Sequence, residues 1–132
     1  MKKISTRITA LVMCALMCAA LAACGGKAAS VQDYLDKNKA ALDAMIAEAE
    51  SDGSVDLDII ARDNSMVYIF KYKFDTSSVT DIKDRLDALM EDEASEFKDG
   101  YAELKKVVSS AESIIVEYYD MNDTLITSAV YN

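Results

Sequence analysis

Apolar residues along this chain recur with two different periods. After residue 30, Val31, Tyr34, Leu35, Leu42, Met45, Ile46 and Ala49 fall at spacings of three, four and, once, seven, which lays one apolar stripe along a helix. Ser30 ahead of the stripe is a helix-capping residue, and Asp33 three positions on completes an approximate capping box. Asp52-Gly53 supplies the stop. Period two then takes over in 55–62 and 66–74, with Asp63-Asn64 as a two-residue turn between them. That turn fixes a register. Arg62 faces Ser65, and the apolar pairs Ala61–Met66, Ile59–Tyr68, Leu57–Phe70 and Val55–Tyr72 follow. The intervening positions pair Ile60 with Val67, Asp58 with Ile69 and Asp56 with Lys71. A slip of one residue would mix the two sets. Asp56 opposite Lys71 is expected to form a cross-strand charge pair.

The second half repeats the alternation. Val79, Ile82, Leu86, Leu89, Met90, Phe97, Tyr101, Leu104 and Val107 line one side of a helix predicted over 78–108. Unbroken, it would span about 45 Å at 1.5 Å per residue, and Gly100 is the expected point of bending. Strands over 113–119 and 124–131 follow, turning through Asp120-Met121-Asn122-Asp123. The predicted order is α-β-β-α-β-β, an α+β domain over residues 30–132. Its simplest packing is a four-stranded antiparallel sheet with two helices on one face. Ser30-Val31-Gln32-Asp33 has an echo in Ser78-Val79-Thr80-Asp81, and Ile59-Ile60 one in Ile114-Ile115. An αββ repeat and chance likeness of capping sequences both account for this.

The N-terminus has a different logic. Lys2, Lys3 and Arg7 precede an almost wholly apolar run from Ile8 to Ala23, the layout of an export signal. The run is short for a membrane-spanning helix, which needs about 20 residues. It ends in Leu21-Ala22-Ala23-Cys24, which resembles the lipobox of prokaryotic lipoproteins. The resemblance implies that residues 1–23 are a signal peptide and that the Cys24 thiol accepts a diacylglyceryl group before cleavage. The mature chain would then be held on the outer face of the cell membrane, with residues 24–29 as lipidated cysteine and tether.

Removing that segment changes the charge. It takes Lys2, Lys3 and Arg7 and no acidic residue, leaving 11 basic residues against 23 acidic ones, a net charge of −12 in place of −9. Such an acidic domain is a poor partner for nucleic acid or anionic lipid. Cys14 and Cys18 leave with the signal, so Cys24 is the one remaining cysteine and no disulfide framework exists.

Chemistry is sparse in the rest. The chain has no histidine, so His-based triads and His- or Cys-based zinc sites are excluded. Glu91, Asp92, Glu93, Glu96 and Asp99 read as a solvated helix face, because a convex helix cannot wrap six to eight oxygens round calcium. The 120–124 segment lacks the glycine and closing glutamate of an EF-hand and reads as a turn. No catalytic residue, metal or cofactor is expected, and the protein is expected not to be an enzyme.

The tyrosines and isoleucines are more informative. Tyr68 and Tyr72 fall on the helix side of the sheet. Ile69, Ile115, Tyr119 and Ile126, with Asp56, Lys71 and Glu117 as a charged rim, are expected on the helix-free side, where an apolar patch marks a contact surface. The run Val116-Glu117-Tyr118-Tyr119-Asp120, then Thr124-Leu125-Ile126, together with the order of elements, resembles a family of small lipoproteins of unknown function found mainly in Firmicutes. That resemblance covers most of 31–131 and implies a Gram-positive source. The expected function is non-enzymatic binding of a protein or peptide partner, or self-association, by a membrane-anchored domain. The alternative is an accessory lipoprotein presenting a small ligand to a transporter.

Overall fold

A computed structural model describes residues 27–51 and 53–132. Residues 1–26, which hold the expected signal segment and Cys24, and Asp52 lie outside the described residues. The elements are α1 (Val31–Lys37), α2 (Lys39–Ala49), β1 (Val55–Arg62), β2 (Ser65–Tyr72), α3 (Ile82–Asp92), α4 (Ala94–Val107), β3 (Ile114–Tyr119) and β4 (Leu125–Tyr131), with a 3₁₀ turn over Thr76–Ser78.

Each predicted helix is therefore two, and the order is not the α-β-β-α-β-β expected. The first breaks at Asn38, whose buried side-chain amide donates to the Tyr34 carbonyl at 2.8 Å and so competes with the helical ladder. The second breaks at Glu93, at φ −93°, ψ 4°, and not at Gly100, which is buried inside α4. Breaking there puts Glu96 in the first turn of α4 and Lys105 and Lys106 in its last, the arrangement a helix dipole favours. The helical start also moves, from Ser78 to Ile82. Asp75 draws residues 76–78 into the 3₁₀ turn by accepting from the Ser77 N–H at 2.9 Å, and Asp81 sits left-handed at φ 56°.

Ser30 caps α1 as its spacing predicts, accepting from the Asp33 N–H at 3.1 Å. Asp33 reaches back to the Ala29 N–H at 3.0 Å. The first hairpin has the register read from the sequence, from Arg62 opposite Ser65 to Val55 opposite Tyr72. Asp63 and Asn64 both have positive φ, 49° and 61°, as a type I′ turn requires.

The sheet is mixed, which corrects the antiparallel expectation. Its order is β1-β2-β3-β4, with two antiparallel hairpins and a parallel central pair. The chain leaves β2 at one end of the sheet and runs through α3 and α4. It re-enters at the other end, so β3 must run with β2; a long crossover of this kind is what parallel strands need.

All four helices pack on one face. Their buried residues form a single core with Val55, Leu57, Met66, Tyr68, Phe70, Tyr72, Ile114, Val116, Tyr118 and Tyr131. This settles the repeat geometrically. Carrying β1-β2 onto β3-β4 in the same lateral order reverses the strands, and a rotation that does so turns the sheet over. The second helix pair would then lie on the opposite face, so the halves are not copies in space.

One end of the molecule is tied to the residues that follow Cys24. The Ala28 N–H donates to the Val107 carbonyl at 2.8 Å, and the Ser110 hydroxyl donates to the Ala29 carbonyl at 3.3 Å. Asn64 accepts from the Val31 N–H at 2.9 Å and donates to the Ser110 carbonyl at 2.8 Å. Ala28 and Ala29, which the sequence assigns to the tether, are thus bonded to the domain.

Candidate functional site

Alternation along the strands sends a second set of side chains away from the helices. The registers align them in rows across the sheet: Ile60, Val67, Ile115 and Val130; then Asp58, Ile69, Glu117 and Ser128; then Asp56, Lys71, Tyr119 and Leu125. Ile69, Ile115 and Tyr119 lie on this face, each half-buried. Ile126 does not. A β-bulge shifts the pairing so that Tyr119 meets Leu125, which leaves Ile126 as the extra residue, packed against the helix-side core. The exposed apolar residues of β4 are instead Leu125 and Val130, at 48% and 60% exposure.

The centre of this face is ionic. Arg62 on β1 grips Glu117 on β3 with both guanidinium arms, at 2.7 and 3.2 Å, and the Tyr119 hydroxyl donates to Glu117 at 3.0 Å. The pair joins the two strands that flank β2, where Val67 is fully buried although it is not part of the helix-side core. Arg62, with help from the Tyr119 hydroxyl, holds the Glu117 carboxyl below the usual range against the opposing effect of burial. Burial, and then the Glu117 charge, push the Tyr119 phenol up.

The expected rim is wrong at Glu117, which is buried in the middle of the patch. Asp56 does stand opposite Lys71, and its charge acts on that lysine, but the close ion pairs are with other partners: Lys71 reaches Asp123 at 2.6 Å, and Asp56 meets Lys73 at 3.7 Å. Sequence reasoning also missed the Arg62–Glu117 link, which joins residues 55 apart. The one local signal was a lone carboxylate inside the apolar run 114–119.

A second concavity lies outside the carboxyl ends of the parallel pair β2 and β3, a position where open sheets commonly bind ligands. It is an open cleft of about 500 Å³ between 75–84 and 120–126, lined by Asp75, Val79, Lys83, Asp120, Asn122 and Ile126 among others. Two of its four carboxylates, Asp75 and Asp120, are occupied locally. Asp75 bonds Ser77, and Asp120 accepts from the N–H groups of Asn122 at 2.8 Å and Thr124 at 2.9 Å. The 120–124 segment is thus turn chemistry. Among the described residues, no cluster of three or more acidic side chains is arranged to hold a metal ion.

None of these features names a reaction, and the comparisons with known proteins add none. No curated protein and no solved structure matches the chain. One family does, over residues 31–131, which takes in every helix and strand from α1 to β4. The chain belongs to that family, described as a domain of unknown function, DUF4854.

Proposed function

We propose that this protein is an extracytoplasmic lipoprotein of a Gram-positive, Firmicutes-type cell. In this reading residues 1–23 are removed as a signal peptide and Cys24 carries the membrane anchor. Its domain is a non-enzymatic adaptor that captures a protein or peptide of the cell envelope on the helix-free face of the sheet. The observation that carries the reading is the division between the two faces. Helices fill one, while the other leaves Ile60, Ile69, Ile115, Leu125 and Val130 with no layer of described residues over them. The strap at Ala28 supports the anchoring. Only four residue steps separate Cys24 from Ala28, a reach of about 14 Å at 3.3–3.6 Å per residue, so the end of the domain bearing Asn64 and Ser110 stays close to the bilayer.

Two experiments test this. Fatty-acid labelling should mark the wild type and not Cys24→Ser, and equal labelling of both would remove the anchor. Affinity capture from the source membranes should recover a defined partner with the wild type. Ile60→Lys, Ile69→Lys should lose that partner while keeping its circular dichroism, and undiminished capture by the folded double mutant would remove the face. The accessory small-ligand reading stands second. The cleft beyond β2 and β3 favours it, although Asp75 and Asp120 there are already taken up by neighbouring backbone.

A further inference from the structure

The two outer edges of the sheet are treated differently by the sequence. On β1, Asp56, Asp58 and Arg62 are exposed, and the Leu57 N–H is occupied by the Glu50 carboxylate at 3.0 Å. Exposed charges and a side chain across the ladder are the usual means of stopping an edge strand from pairing with another chain. On β4 these devices are missing. From Thr124 to Asn132 no side chain is charged, in a chain of which 28% is charged. Leu125 and Val130 are exposed, and β4 ends the sheet order with no described strand beyond it.

We infer that the β4 edge pairs antiparallel with β4 of a second copy of this chain, joining two sheets into one of eight strands. Charge selects this occupant. Antiparallel self-pairing sets a strand against its own residues. On β1 that would bring Asp56 and Asp58 against their counterparts in an already acidic protein, whereas on β4 no like charges meet. The blocked β1 edge also sets the stoichiometry. A β4-to-β1 contact would propagate without end, and a β4-to-β4 contact closes after two copies. The twofold axis of such a pair is normal to the sheet and leaves both helix layers on the same side. It also sets the two Ala28 ends at opposite ends of the joined sheet, so both anchors reach one bilayer when the sheet lies along the membrane. The inference is separate from capture on the helix-free face. It rests on the anchoring reading only in taking Cys24 to be blocked by lipid.

The test uses the protein extracted from its membranes in detergent. Sedimentation should give a dimer for the wild type and a monomer for Ser128→Lys, altered at the central residue of β4, with circular dichroism unchanged. Ser128→Cys, a nearly isosteric change, should form a disulfide-linked dimer under copper–phenanthroline, and Asp58→Cys on the β1 edge should not. A monomeric wild type, a folded Ser128→Lys that remains dimeric, or equal cross-linking at both edges overturns the pairing. Disulfide-linked wild type would instead expose a free Cys24 and count against the anchor, while sedimentation still decides the pairing.

Discussion

On the helix side of the sheet Phe70 stacks on Tyr118 with ring centroids 5.0 Å apart, and Phe97 stacks on Tyr131 at 4.7 Å. On the other side Val67 is just as inaccessible, yet the groups that join its neighbouring strands are Arg62 and Glu117. The two faces thus achieve burial by different means. Apolar contact is additive and tolerant of approximate geometry, whereas a buried carboxylate is stable only while its cation and hydrogen bonds are in place. The helix side is a core in the ordinary sense, and the outer side is a thin layer whose centre depends on one pair.

The largest effect should come from the helix side. Phe70→Ala removes a stacked ring from a fully enclosed position and should cost about 3–5 kcal/mol in urea unfolding. A loss below that of any outer-face substitution would reverse the assignment of the faces.

Glu117→Gln should come next, at about 1–2 kcal/mol, the range for charge-assisted hydrogen bonds reduced because Arg62 is partly exposed. Its pH dependence has a definite sign. The folded carboxyl titrates below its unfolded value, so the pair's contribution is complete above about pH 4.5 and fades as pH falls through the folded value. The stability gap between wild type and Glu117→Gln should close in acid. A gap that widens in acid would show that Arg62 does not hold the charge.

Glu93 sharpens the contrast, because it is a carboxylate of the helix layer with no cation. Burial, and then Glu96, push its carboxyl up, so ionisation at neutral pH works against the fold. Glu93→Gln should stabilise the protein at pH 7 by about 0.2–0.5 kcal/mol, the scale of a like-charge pair on a helix, and should have no effect below about pH 4. The smallest effect belongs to Lys71→Ala. Its partner Asp123 is an exposed loop residue, and the urea midpoint should not move measurably.

How much of this was legible beforehand follows from the range of each interaction. The sequence by itself determined the first hairpin completely, because Asp63-Asn64 imposes a two-residue turn and parity then assigns every side chain to a face. It determined the α1 cap, which needs only Ser30 and Asp33 three residues apart, and the helix-side placement of Tyr68 and Tyr72. Tertiary structure alone decided the direction of β3 against β2, since periodicity is the same for a strand entered from either end. It decided the place of Ile126, because the bulge after Tyr118 arises from how two strands fit and leaves no mark on either. The helix breaks at Asn38 and Glu93 fall in the one seven-residue gap of each apolar stripe, Leu35 to Leu42 and Met90 to Phe97, but a gap of seven keeps the helical phase, so local capping and packing against a short sheet select the point. Last, it decided Glu117. A glutamate in a strand reads as solvent-facing until the fold brings Arg62 across from 55 residues away.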